Sequence, residues 1–236
     1  MLATQNNSIL YQTMFAISNT VREIIIPVIT IPSIDLFLCL LFGAKARWFQ
    51  LHSVINAVIV GIIYDDVIKL YRNPLLNNHA ITCKLDMTYI MWLHLYHLLI
   101  TKNITCMDYF HHIVFVGFGC LPAYLLYDNN LLRLGVFATC GFTGAIEYFS
   151  LALVKHGRLT LLAQKRFNSH LYNYVRYPLS MYSVITIYIV SLYDRELTGD
   201  YPVLLFVINV MIFMNGAFYN KLTVENYIRN QFYLTG

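Results

Sequence analysis

Pro202-Val203-Leu204-Leu205-Phe206-Val207-Ile208-Asn209-Val210-Met211-Ile212-Phe213-Met214 is an apolar run broken only by Asn209. Wound as a helix, it is apolar around its whole circumference and not along one stripe, the pattern of a helix surrounded by hydrocarbon or deep core. Leu51 to Ile63 reads the same way. A transmembrane β-barrel would instead alternate apolar and polar residues in segments of about ten, so these runs point to helices.

Working outward, stretches long enough for a bilayer core of about 30 Å, roughly 20 residues each, recur at 22–43, 49–68, 86–101, 109–127, 131–154, 174–193 and 201–220, the third being short. The expected fold is all-α, a polytopic membrane bundle of about seven transmembrane helices. Of the residues, 58% are hydrophobic and 12% charged, against about a quarter charged in ordinary soluble domains. The connections are too short for a second domain, and no solenoid repeat or low-complexity tract interrupts them. The expected organisation is a short N-terminal segment over 1–21 and a single bundle over 22–236. Met1 to Ser8 lacks the basic stretch of a cleaved signal peptide, so the first span is expected to direct insertion.

The net charge of +4 is scattered over loops and not gathered into a stripe that tracks phosphates; nucleic acid is not an expected partner. Cys39, Cys83, Cys106, Cys120 and Cys140 are odd in number and lack metal-ligand spacing, so they read as packing residues.

Basic residues favour the cytoplasmic side of short loops. With the N-terminus lumenal and the C-terminus cytoplasmic, the cytoplasmic set is Lys45, Arg47, Lys102, Lys155, Arg158, Lys165, Arg166, Arg176, Lys221 and Arg229, opposite Arg22, Lys69, Arg72, Lys84, Arg133 and Arg195. Asn6-Asn7-Ser8 is then an accessible glycosylation acceptor, whereas Asn103-Ile104-Thr105 faces the cytoplasm.

Ionisable groups inside spans are expensive and usually face the bundle interior or a wet cavity. Glu147 lies deep in the fifth expected span, where helical spacing puts Cys140, Thr143, Gly144, Glu147 and Ser150 on one small, polar face. A neutral, interhelically hydrogen-bonded Glu147 is the structural alternative. His94 and His97 sit one turn apart near the end of the third span, and Asp108, His111 and His112 at the start of the fourth. The short intervening loop makes the two helices antiparallel neighbours and brings His97 and the His111–His112 pair to similar depth, in one pocket near the cytoplasmic surface. Asp108, three or four residues ahead of the paired histidines, is placed to orient one of them for proton transfer or nucleophilic work. The structural alternative is that these rings simply sit comfortably at an interface. Di-iron membrane enzymes need several histidine boxes; here His52, His79, His156 and His170 stand alone in sequence, and no metal is expected. Pro27, Pro32 and Pro122 fall within spans, where proline is tolerated as a kink.

Ala46-Arg47-Trp48-Phe49-Gln50-Leu51-His52, Asp108-Tyr109-Phe110-His111-His112-Ile113-Val114 and the stretch from Asn215 to Lys221 resemble the TLC domain family, ceramide synthases and the smaller TLC-domain-containing proteins, over about 45–227. The resemblance implies a multi-pass protein of the endoplasmic reticulum or a related endomembrane, concerned with acyl lipids and sphingolipids. The synthases follow the histidine pair with further acids, where this chain has only Glu147 on the next helix, and smaller members carry Tyr-Asp where this chain has Tyr96-His97. The leading expectation is therefore acyl-lipid or sphingolipid binding, or membrane lipid homeostasis, with His94, His97, Glu147 and Ser150 in the pocket. The enzymatic alternative is an acyl-CoA-dependent N-acyltransferase that joins a fatty acyl-CoA to a sphingoid base, with Asp108, His111 and His112 catalytic. No cofactor is implied beyond acyl-CoA as a co-substrate, the partners are membrane lipids and acyl chains, and a homodimer is compatible with the sequence. The third class, a transporter or seven-span receptor, lacks the symmetric paired repeats that transporters show.

Overall fold

The computed structural model describes residues 2–81, 83–101, 104–194 and 202–235, with the backbone alone for 2–18, 202 and 233–235. Lys102, Asn103 and Arg195 lie outside these residues, and the glycosylation expectation at Asn103 with them.

Hydrocarbon leaves backbone N–H and C=O groups no partner except one another, so a membrane chain of this hydropathy winds into helices. Among the described residues seven carry the fold: α1 (Leu2–Phe42), α2 (Arg47–Arg72), α3 (Leu85–Ile100), α4 (Cys106–Leu126), α5 (Leu132–Lys155), α6 (Leu161–Tyr193) and α7 (Pro202–Thr235). Among the described residues there is no strand, only an isolated bridge between Ala80 and Asn129.

Within these, six segments are long and apolar enough to cross a membrane, one each from α1, α2, α4, α5, α6 and α7. The expectation of seven membrane-length spans is corrected to six. α3 has 16 residues, about 24 Å at 1.5 Å per residue, short of a core of about 30 Å. The segment expected over 1–21 is not separate but continues as the first turns of α1. Likewise α6 begins at Leu161 and α7 runs on to Thr235, beyond their expected apolar windows. Hydropathy reports where a helix is greasy, not where it stops, and Lys165, Arg166 and Asn168 are compatible with helix once outside the hydrocarbon.

Side-chain contacts set the register. The Glu23 carboxylate on α1 accepts from the backbone N–H of Lys84 at 2.7 Å, Thr30 pairs with the Tyr89 hydroxyl at 2.9 Å, and Asp35 accepts from the Tyr96 hydroxyl at 2.7 Å. α1 and α3 therefore run parallel. α2 runs back between them, since Trp48 at its start stacks on His97 near the end of α3, with ring centroids 3.6 Å apart. α4 starts beside the end of α3 and finishes where α3 begins, its Tyr124 hydroxyl donating to Glu23 at 3.0 Å. The bundle thus has a Trp48 end and a Lys84 end.

Glycine does the steric work at two kinds of place. Gly43 and Gly157, at φ 78° and 70°, turn the chain between α1 and α2 and between α5 and α6; a Cβ is strained there. A Cβ on Gly216 would lie 2.8 Å from Cβ and Oγ of Ser180, so α6 and α7 approach at that point as closely as small residues allow.

The Lys84 end is closed by ion pairs. Arg133 at the start of α5 binds Asp66 of α2, donates from Nη2 to the Cys83 carbonyl at 3.0 Å, and holds Nε 3.5 Å from the carboxylate of Asp86, which is 1% exposed. Removing one partner of a buried pair strands the other, at a cost of about 3–5 kcal/mol. Arg133→Met is therefore expected to lower the thermal midpoint of the detergent-solubilised protein sharply, and adding Asp86→Asn to recover part of the loss.

Candidate functional site

A cavity of about 260 Å³ runs inside the bundle between α2, α3, α4, α5, α6 and α7. On α4 its walls extend from Met107 to Ala123, roughly 24 Å along the helix. Toward the Trp48 end it is polar, lined by His94, His111, Glu147, Arg176, Asn215 and Tyr219; toward the Lys84 end it is apolar, with Met87, Ala123, Leu132, Val136, Ile208 and Ile212.

Three of the helices around it are wound wide where they meet it. α4 is π-helical over His111–Cys120, α5 over Phe137–Gly141 and α6 over Tyr172–Arg176, with N–H to C=O bonds five residues apart at Leu121 to Val116, Phe142 to Phe137 and Tyr177 to Tyr172. Each widened turn redirects the side chains on it, and such turns concentrate at functional sites. Here His111, Phe115 and Cys120, then Thr139 and Cys140, then Tyr172 and Arg176, all reach the same space.

Arg176 is the central charge. It is 6% exposed and pairs with Glu147, Nη1 lying 3.6 Å from the carboxylate, with the Tyr172 hydroxyl, and through Nη2 with Asn215 Oδ1 at 2.8 Å. Tyr172 in turn donates to Glu147, and the guanidinium lies over the rings of Tyr172 and Tyr219, 4.6 and 5.5 Å from their centres. Its Nε is buried without a partner among the described residues.

The histidines form a second, connected group. His94 donates from Nδ1 to the Ile90 carbonyl at 2.7 Å, because a carbonyl only accepts. A neutral His94 then offers a lone pair at Nε2, so His111 donates from its own Nε2 across 3.1 Å and its Nδ1 accepts from the Tyr219 hydroxyl at 3.0 Å. The result is a directed chain from Tyr219 through two imidazoles to the backbone. His97 and His112 stand behind it, rings 5.2 Å apart, and do not line the cavity. His112 donates from Nδ1 to the Asp108 carbonyl, leaving a buried Nε2 without a partner among the described residues.

The carboxylate of Asp108 does not orient either ring. It closes a capping box at the start of α4, accepting from the N–H and hydroxyl of Thr105 at 2.9 and 2.7 Å. Ser150 is turned away from the cavity, between Gln164 and Asn168. At about 100° per residue, Thr143 and Ser150 lie some 60–80° off the direction of Cys140, Gly144 and Glu147, and only those three of the five reach the cavity.

His52, isolated in sequence, lines the cavity with its ring stacked on Tyr148 at 4.4 Å and 5.7 Å from the His94 ring. Arg176 and Tyr172 lie outside the expected site: Tyr172 precedes the apolar window at 174–193, and Arg176, near the start of that window, is counted among the cytoplasmic charges. Among the described residues no three histidine, cysteine or acidic side chains converge as metal ligands. No family model, curated protein or solved structure matches the chain.

The arrangement offers a charged and hydrogen-bonding head site above an apolar shaft. Arg176→Met leaves Glu147, Tyr172 and Asn215 without their partner and is expected to cost about 3–5 kcal/mol. Glu147→Gln still accepts from Tyr172 but leaves the buried guanidinium without its counter-charge and is expected to cost a similar amount. Combining it with Arg176→Met is expected to recover part of the loss, which thermal unfolding in detergent measures directly.

Proposed function

We propose that this multi-pass membrane protein takes an acyl lipid into the cavity, with the chain in the apolar shaft and the head group at Arg176, Glu147, His111 and Tyr219. The gradient along one cavity carries this reading: polar groups gather at one end, and the other is lined by Met87, Ala123, Leu132, Ile208 and Ile212. A soluble polar metabolite has no use for such a shaft, whereas each methylene buried there contributes about 0.8 kcal/mol.

The sequence resemblance to the TLC domain family supports the same class, and with it an endoplasmic reticulum or related membrane. In this reading α3 makes the seventh crossing, since its contacts run from Glu23 at one end of the bundle to Asp35 at the other, and the bilayer thins or the flanking loops dip to meet its length. The N-terminus is then lumenal and the cavity's polar end faces the cytoplasm. The burial of Arg176 in the site and of Arg133 at the opposite end removes both from the count of loop charges, so the loops around Lys155, Arg158, Lys165 and Arg166 carry that orientation.

The directed chain from Tyr219 through His111 to His94 favours a second reading, N-acyl transfer. A sphingoid amine attacks the thioester carbonyl of an acyl-CoA, the carbon–sulfur bond breaks, and the proton lost by the amine passes through an imidazole to the departing thiolate. Asp108 enters this reading as the cap that holds the start of α4 and, through its carbonyl, the ring of His112.

Mass spectrometry of lipids retained after gentle extraction is expected to find acyl chains. Ala123→Phe, which fills the deep end of the shaft, is expected to shift the retained population to shorter chains. Absence of any acyl lipid, or the same chain lengths in the variant, would overturn the proposal. For the enzymatic reading, purified protein given long-chain acyl-CoA and a sphingoid base is expected to form an amide at a rate that falls at least about 100-fold in His111→Ala; no amide in the unchanged protein removes that reading and leaves lipid binding standing.

A further inference from the structure

Resting on the acyl-cavity reading, a second polar position lies below the head site. Asn56 on α2 is 3% exposed, lines the cavity, and has no hydrogen-bond partner among the described residues. It follows His52 by four residues on the same helical face, one turn deeper into the bundle and about 6 Å along the axis. A primary amide in a bundle interior is costly unless something bonds it, and hydrocarbon supplies no partner.

Asn56 is held there by shape. A Cβ on Gly144 of α5 would meet its Nδ2 at 2.7 Å, so the amide fits against the cavity wall only because residue 144 is glycine. Gly144 precedes Glu147 by three residues, which sets the amide about 4.5 Å below the head site. Gln50, Gln164, Asn209 and Asn220 have amide oxygens sealed off without a partner among the described residues, but none of them lines the cavity. Asn56 alone among these amides is offered to whatever the cavity holds.

We propose that Asn56 is a specificity subsite that hydrogen-bonds an oxygen substituent on the acyl chain a few carbons from its head group, so that the cavity selects hydroxylated over unsubstituted chains. An amide donates through Nδ2 and accepts through Oδ1, which matches a hydroxyl group. A methylene at the same place leaves both amide atoms unpaired, and sites built to bond a hydroxyl discriminate strongly against the analogue that lacks it.

The test measures displacement of radiolabelled palmitate from the full chain in detergent micelles by unlabelled palmitate and by 3-hydroxypalmitate. The hydroxylated acid is expected to displace about tenfold better. Asn56→Leu, close to isosteric, is expected to keep palmitate binding and to lose the preference. Gly144→Ala, whose added methyl pushes the amide aside, is expected to lose it too, which keeps the proposal testable should either variant fold poorly. Equal displacement by the two acids in the unchanged protein, as expected if Asn56 serves only to bond water, overturns the subsite while leaving the acyl cavity in place. So does a preference that survives in Asn56→Leu. Failure of the unchanged protein to bind either acid overturns the acyl-cavity reading itself, and the subsite with it.

Discussion

A guanidinium inside a hydrocarbon-surrounded bundle has to find its counter-charge and its hydrogen bonds within the protein, and Arg176 finds them on three helices at once. Glu147 comes from α5, Tyr172 from α6 itself and Asn215 from α7. A charge at the bilayer centre costs from about 3 to more than 10 kcal/mol by different measures, so this set of partners ties those helices together at one level. Because Tyr219, one turn beyond Asn215, bonds His111, the same constraint reaches α4 and through His94 reaches α3. The polar end of the cavity is thus also a structural junction of the bundle.

The widened turns explain how so many side chains converge. In a regular α-helix Phe115 follows His111 by one turn on the same face, as Arg176 follows Tyr172 on α6, but Cys120, nine residues after His111, points to the opposite side of the axis. A π-turn inserts a residue without breaking the helix, and here it keeps these groups facing one space. Backbone bonds lengthened to five residues are tolerated in hydrocarbon because each N–H still has a partner. The cost is less regular packing beside the cavity, and α4, the most extensively widened helix, is also the least buried of the membrane-length helices.

Ion pairs also close both ends of the bundle. Arg133 with Asp66 and Asp86 closes one end, and Asp35 with Arg47 and Tyr96 ties α1, α2 and α3 at the other. Between them α2 contributes Leu51, Ile55, Ile59, Ile63 and Val67 to the core, all fully buried, and Asn56 emerges from the same helix on the side that faces the cavity. One helix therefore serves as both core and cavity wall, which its all-round apolar character conceals.

Much of the fold was legible in the residues alone. Continuous apolar runs such as Leu51–Ile63 dictate membrane helices because backbone groups in hydrocarbon can pair only within the helix, and the expense of burying Glu147 and the histidines marks where polar groups must gather. The short connection between α3 and α4 brings imidazoles of the two helices together, but that His94 and not His97 bonds His111 depends on how the helices are rotated. Other features depend on partners distant in sequence. Helix ends beyond the bilayer, the three widened turns, the placing of Arg176 in the site and of Asp108 in a cap, and the inclusion of His52 were decided only when neighbouring helices packed. The physical reason is that hydropathy is a property of a segment taken alone, whereas a hydrogen bond, an ion pair or a cavity wall is a property of two or more segments together, and their relative rotation is set by tertiary contact.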